Sequence, residues 1–242
     1  MSAIIGIIII LSLTPIAFAP STPMGPFKKI AFVHYFKGVN GVPQSPICND
    51  KVKDYGFIGG TPTKWTSTIS YSINPTNSGL GSTALLSAVS SASNTWDAST
   101  SAVLFTAPSI DYTAAPSPQE ISSGVITPDF KNTVSWADLS RLGFPGSTIG
   151  VTYVYFNAFT GQISDFDIVL NTQFSWSTMG APGQMDVQDI ATHELGHAIG
   201  LGDLYAAKDC ALTMYGYSNF GETFKRTLGR GDILGSQALY GI

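Results

Sequence analysis

Residues 193–203 read HELGHAIGLGD, and no other stretch limits the fold of this 242-residue chain so tightly. His193 and His197 stand four apart. On a helix that spacing puts both side chains on one face about one turn apart. Two imidazole nitrogens so placed can reach one Zn²⁺ at its usual bond length. Glu194 follows the first histidine and is rotated off that face, where it can hydrogen-bond a metal-bound water without coordinating the metal. Gly200 can take the left-handed conformation that ends a helix and turns the chain back. The residue that such a turn delivers to the same metal is Asp203. The sequence holds only three histidines, and the third, His34, lies far upstream. A carboxylate is an accepted zinc ligand, and two histidines with one carboxylate form an established catalytic set. Exchanging a third imidazole for Asp203 removes one unit of formal charge from the site. Bound water becomes less acidic, and reliance on Glu194 as base increases.

The segments around this helix place strands early and helices late. TISYSI (68–73) alternates and carries β-branched and aromatic residues, which predicts a strand. Leu85, Ala88, Val89, Ala92 and Trp96 fall on one stripe, predicting a helix from about Thr83 to Trp96 capped by Ser82. AVLFT (102–106) reads as a second strand. TIGVTYVYFN (148–157) and QISDFDIVLN (162–171) flank Thr160-Gly161 as a hairpin. On the second of these, Asp165, Asp167 and Val169 share one face, opposite Phe166, Ile168 and Leu170. The helix with the paired histidines runs from about Asp186 to Ile199, with Asp186 as its cap and Asp189 at its positive end. GDILGSQALYG predicts a closing helix with Ile233, Leu234, Ala238 and Leu239 on its buried side. The class is α+β.

The N-terminus carries an apolar run from about Ala3 to Leu13, then Pro15 and Ala17-Phe18-Ala19. This pattern predicts a signal peptide over 1–19 and a secreted, extracellular protein. If the leader were retained it would act as a membrane anchor, although the run is short and broken for a span. Residues 20–60 are rich in Pro and Gly with little periodicity, as in a propeptide or an N-terminal arm. Regular patterning starts at Lys64-Trp65, which gives a main domain over 61–242. Charged residues make up 12% of the chain, about half the usual share, and the net charge is −4 with no basic cluster. Nucleic acid is thereby excluded as a partner, and a monomer is expected. Cys48 and Cys210 are the only cysteines. In an oxidising compartment they pair most simply as one disulfide.

His193-Glu-x-x-His197-x-x-Gly200-x-x-Asp203, followed by ALTMYG (211–216), resembles the metzincin clan of zinc endopeptidases and is closest to its matrixin branch. In that resemblance Met214 sits in the Met-turn, a hydrophobic floor beneath the metal. The Asp third ligand resembles snapalysin-type enzymes. KWTSTISYSI, TIGVTYVYFN and GDILGSQALYG resemble the opening strand, the strand bordering the cleft and the closing helix, so the likeness covers about 61–242. It implies a twisted mixed sheet with an active-site helix and a C-terminal helix. It also implies a Zn²⁺ cofactor on His193, His197 and Asp203, with Glu194 as catalytic base. Protein or peptide substrates would lie extended along strand 148–157. Tyr205 is a candidate transition-state donor, and a packed aromatic is the alternative. Ca²⁺ is a secondary candidate cofactor, since Asp165, Asp167, Asp186 and Asp189 are oxygen ligands of the right type; caps or a solvated face are the alternative. Cys48 lies roughly where a matrixin cysteine switch would, yet PICND lacks the Arg, Gly and Pro-Asp of that motif. The rival function is a catalytically silent secreted binding protein with a structural zinc site. Such a site normally has a fourth protein ligand and has no use for Glu194.

Overall fold

In the computed structural model the described residues are 26–38, 48–116 and 128–242. The expected signal peptide lies outside them. The frame of the fold is a hairpin of β6 (Thr148–Asn157) and β7 (Ile163–Asn171), paired antiparallel around Gly161, whose φ is +70°. Nearly every residue of both strands is buried, because the sheet is covered on both faces. On one face Phe166, Ile168 and Leu170 join the main core; on the other Val151, Tyr153, Tyr155 and Val169 pack with Leu139. Beyond β7 the sheet continues in parallel through β5 (Thr133–Ala137), β3 (Ser72–Ile73) and β4 (Ser109–Ile110). The sheet is therefore mixed, as expected of the α+β class.

Two of the predicted strands shrink. TISYSI yields only β3 plus a single bridge from Ile69 to Phe105, and AVLFT contributes no more than that bridge. Asp97 explains why: its Oδ1 accepts the backbone N–H groups of Leu104 and Phe105 at 2.6 and 3.1 Å. That segment is shared between the Asp97 side chain and two backbone bonds to Ile69, too few to make a strand.

Helix α1 (Ser82–Asp97) buries the predicted stripe, Leu85, Ala88, Val89, Ala92 and Trp96. Its cap position is Gly81 and not Ser82, and no side chain accepts there. The Trp96 indole N–H donates to Thr192 O at 2.7 Å, fastening α1 to α2 (Val187–Ala198), the helix of the two histidines. α2 starts as expected, with Asp186 Oδ1 accepting from the Asp189 N–H at 3.0 Å. It ends at Gly200, φ +111°, where an added Cβ would lie 2.0 Å from Thr63 O. Only glycine fits there.

Helix α3 (Arg230–Tyr240) corrects the predicted buried side. Gly231, Asp232, Gly235, Ser236 and Leu239 face inward, Ile233 and Leu234 are half-buried, and Ala238 is exposed. The reason is polar. Asp232 accepts from the backbone N–H groups of Thr213, Met214 and Gly229 at 2.7–3.1 Å, so the helix turns its acidic first turn toward the interior in place of Ile233 and Leu234, while Leu239 is buried as expected.

The largest departure is in the segment read as an aperiodic arm. FKKIAFVHYF forms β1 (Phe27–Phe36), which pairs antiparallel with β6 along most of its length. On its other side Tyr35 and Phe36 pair parallel with β11 (Tyr217–Ser218). The sheet order is β11-β1-β6-β7-β5-β3-β4. Further along the arm, β2 (Gly56–Phe57) pairs with β10 (Leu201–Gly202), just past α2. Cys48 and Cys210 are joined by a disulfide with Cα atoms 5.3 Å apart, within the normal range for such a bond.

Candidate metal centre

The two histidines of α2 are fixed by their inner nitrogens. His193 Nδ1 lies 2.7 Å from Thr213 O, and His197 Nδ1 lies 2.8 Å from Leu201 O. A carbonyl can only accept, so both Nδ1 atoms carry a proton, and in the neutral ring each Nε2 presents a lone pair. Those lone pairs converge. The Nε2 atoms are 3.1 Å apart, and Asp203 Oδ1 lies 3.3 Å from one and 3.4 Å from the other. With both rings neutral, three acceptors meet with no hydrogen among them, an arrangement suited to a bound cation; without one, Asp203 and Glu194 raise the affinity of His197 for a proton against the effect of burial. Tetrahedral zinc with bonds of about 2.0–2.1 Å sets its donors roughly 3.3–3.4 Å apart, so the residues present fit Zn²⁺ closely. Burial pushes the Asp203 carboxyl up, but His197 and His193 outweigh it and hold it well below the carboxylate range. Burial also lowers His193, to about 4, so it is neutral and able to ligate.

Met214, the residue expected to form a hydrophobic floor, is buried against Gly196, between the two histidines in sequence. It comes close because Gly196 has no side chain: a Cβ there would lie 2.3 Å from Met214 Sδ and 2.8 Å from Trp96 Cζ2. Asp232 holds the Met214 and Thr213 amides, and Thr213 O in turn holds His193. α3 thereby supports His193 through two steps. Tyr205 lies beside the site. Its hydroxyl donates to Asp203 Oδ2 at 3.0 Å, so its placement is that of a group orienting the ligand.

Glu194 is fully buried against β6. Burial raises its carboxyl to about 7, partly opposed by His197 and Thr152. Thr152 donates to Oε2, and Gly150 leaves the room: a Cβ there would sit 3.0 Å from Glu194 Oε1. The other oxygen is taken by a residue that sequence reasoning set aside in the arm. His34 Nδ1 lies 3.2 Å from Glu194 Oε1, and its ring tilts over His193 at 3.9 Å between centroids. Two residues earlier on β1, Phe32 stacks on His197 at 4.0 Å. His34 was visible in the sequence as the only other histidine, but nothing local announced that a strand would carry it 160 residues across the chain.

A buried lysine, also missed, completes the surroundings. Lys225 Nζ donates to Tyr215 O and to Tyr217 O, the latter at 2.9 Å, and lies 3.3 Å from His34 Nε2. Burial lowers the pKa of Lys225, with Glu222 and Asp189 opposing; in its ammonium form the lysine only donates, so His34 Nε2 then accepts and its Nδ1–H donates to Glu194. Burial keeps the His34 imidazole well below its usual value, and His193 and Lys225 act in the same sense.

The four aspartates considered for calcium do not assemble. Asp186 caps α2 and pairs with Arg226, and Asp189 accepts from the Lys225 N–H. Asp165 accepts from the Phe130 N–H, and Asp167 from the Thr133 hydroxyl. Among the described residues, the groups of three or more candidate ligands are His193 with His197 and Asp203, and His34 with His193 and Glu194. Among the described residues, none of the four belongs to a group of three candidate ligands.

The family model described as Matrixin matches residues 64–241. No curated protein matches the chain.

Proposed function

Since the chain belongs to the matrixin family over residues 64–241, we propose that it is a secreted zinc-dependent endopeptidase whose metal is held by His193, His197 and Asp203. The observation that carries this is the convergence of His193 Nε2, His197 Nε2 and Asp203 Oδ1 within 3.1–3.4 Å of one another. The aspartate third ligand is of the snapalysin type. Zinc, when bound, supplies a Lewis acid for the scissile carbonyl and makes water more acidic. Glu194 takes the proton of the attacking water and delivers it to the departing amine. Its raised affinity for protons suits both halves of that exchange. Thr152 fixes the carboxylate through Oε2 and leaves Oε1 as the working oxygen. Tyr205 orients Asp203 through its hydroxyl.

An extended substrate adds to β6 through backbone hydrogen bonds, as peptides add to exposed sheet edges. In the chain as it stands β1 fills that place, and His34 holds Glu194 Oε1. We therefore read residues 20–60 as containing a propeptide whose strand β1 must leave before substrate enters. Latency here needs no thiolate on the metal, because Cys48 is bonded to Cys210.

The test uses the full-length chain carrying Ile30→Pro and Ala31→Pro. Neighbouring residues on a strand point their N–H groups to opposite sides, so one of the two substitutions removes a bond to β6. On a quenched protein substrate this protein should cleave and lose activity to a chelator. Adding Glu194→Ala should leave zinc bound and cut turnover about 100-fold or more. Adding Asp203→Ala should lower zinc affinity. Equal turnover with Glu194→Ala would remove that residue from the mechanism. Zinc bound with no cleavage in any version would favour the silent binding protein.

A further inference from the structure

β1 shows what a peptide meets in this groove. It runs antiparallel to β6 and parallel to β11, bonded on both sides: Tyr35 N–H to Gly216 O at 3.2 Å, Phe36 N–H to Ser147 O at 2.7 Å, Lys37 N–H to Ser218 O at 2.9 Å. One of its side chains, His34, is completely buried, while the rest of the strand is exposed or partly so. It enters a socket beside Glu194 whose far end is formed by Ser218 Oγ at 3.0 Å and Lys225 Nζ at 3.3 Å. Because that side chain touches the catalytic carboxylate, the residue occupying the socket flanks the bond that would react.

Lys225 decides what can fill it. Its Nζ makes three polar contacts: two are spent on Tyr215 O and Tyr217 O, and the third, a donor in the ammonium form, is left for the occupant. An aliphatic occupant would leave that donor unpaired and buried, which is costly. A carboxylate occupant would satisfy it but sit close to Glu194, with Glu222, Asp189 and Asp203 also near the lysine. A neutral side chain with an acceptor at its tip avoids both costs.

Resting on the protease reading, we propose that Lys225 is a specificity-determining residue and that the enzyme selects substrates with histidine, glutamine or asparagine in this socket, against leucine or methionine. β1 is then an internal copy of the preferred side chain at that position.

Two measurements test this. The Ile30→Pro/Ala31→Pro chain is given a peptide library and its cleavage sites are mapped. Histidine, glutamine and asparagine should exceed leucine about tenfold at one position flanking the cut, and Lys225→Met should erase or invert that ratio. Separately, in the otherwise unaltered full chain, residue 34 serves as a guest in its own socket. His34→Gln should melt above His34→Leu, and the order should reverse on Lys225→Met. A library preference for leucine, or a flat one, overturns the proposal and leaves the protease reading intact. A melting order unmoved by Lys225→Met overturns it as well. Absence of all cleavage with zinc bound fails the protease reading and this proposal with it. If Lys225→Met does not fold, the library of the parent chain alone decides.

Discussion

Gly196 and Tyr205 carry sharp consequences at the scale of single residues. Gly196 lies between His193 and His197, and a methyl group there would collide with Met214 Sδ and with the Trp96 ring. Gly196→Ala gains helix propensity but overpacks the floor of the metal site. The net effect should be a loss of about 1–3 kcal/mol in urea unfolding, with weaker zinc binding. A stabilised variant would mean that Met214 swings aside freely. Tyr205→Phe removes the hydrogen bond to Asp203 Oδ2. Groups that orient metal ligands typically cost 10–100-fold in affinity or activity when lost, so zinc affinity should fall by roughly that factor or less. At saturating zinc the turnover number should stay close to the parent's. A loss of turnover with zinc affinity unchanged would restore the transition-state donor role. Both the paired histidines and Gly200 were legible in sequence because their geometry is local, set by helix period and backbone handedness. Lys225 and His34 were not, because their meaning comes from burial by segments far away in sequence.

Among the elements, α2 was read almost to the residue, since its cap, its periodicity and its terminating glycine all lie within it. β1 was missed because FKKIAFVHYF lacks clean alternation. Only one of its ten side chains is fully buried, so a strand bonded on both sides left almost no pattern of apolar residues. α3 was located correctly but faced wrongly, because Asp232 outranks Ile233 and Leu234 when three backbone amides need an acceptor. The start of α2 gives a pH prediction. Burial raises Asp189 to about 7, with Lys225 opposing. Its unfolded value is about 3.9, so between about pH 4 and pH 7 the native state holds a proton that the unfolded state has lost. The contribution of Asp189 to stability is therefore full below about pH 4 and declines as pH rises to about 7. Asp189→Asn should lack that decline and gain on the parent across the window, read as urea midpoints against pH. Parallel curves would show that Asp189 ionises normally in the folded protein.

On the scale of the whole molecule, the segment before the family match has two halves with different allegiances. β1 sits in the groove, whereas residues from Cys48 onward are built into the domain: Asp50 O accepts from the Arg230 N–H at 2.6 Å, and Phe57 pairs with Leu201. A Cβ on Gly231 would meet Asp54 O at 2.0 Å, so that backbone contact leaves no slack. The expected mature N-terminus therefore lies between residues 38 and 48, and N-terminal sequencing of the active form should find it there. A terminus beyond residue 60 would show these contacts to be dispensable. The disulfide then makes the position of the cut a choice of kinetic regime. Severed before Cys48, β1 departs as a free peptide and its inhibition vanishes on dilution. Severed after Cys48, the same strand stays leashed to Cys210 at an effective concentration on the order of millimolar, so the enzyme would switch off again after every opening until a reductant released it.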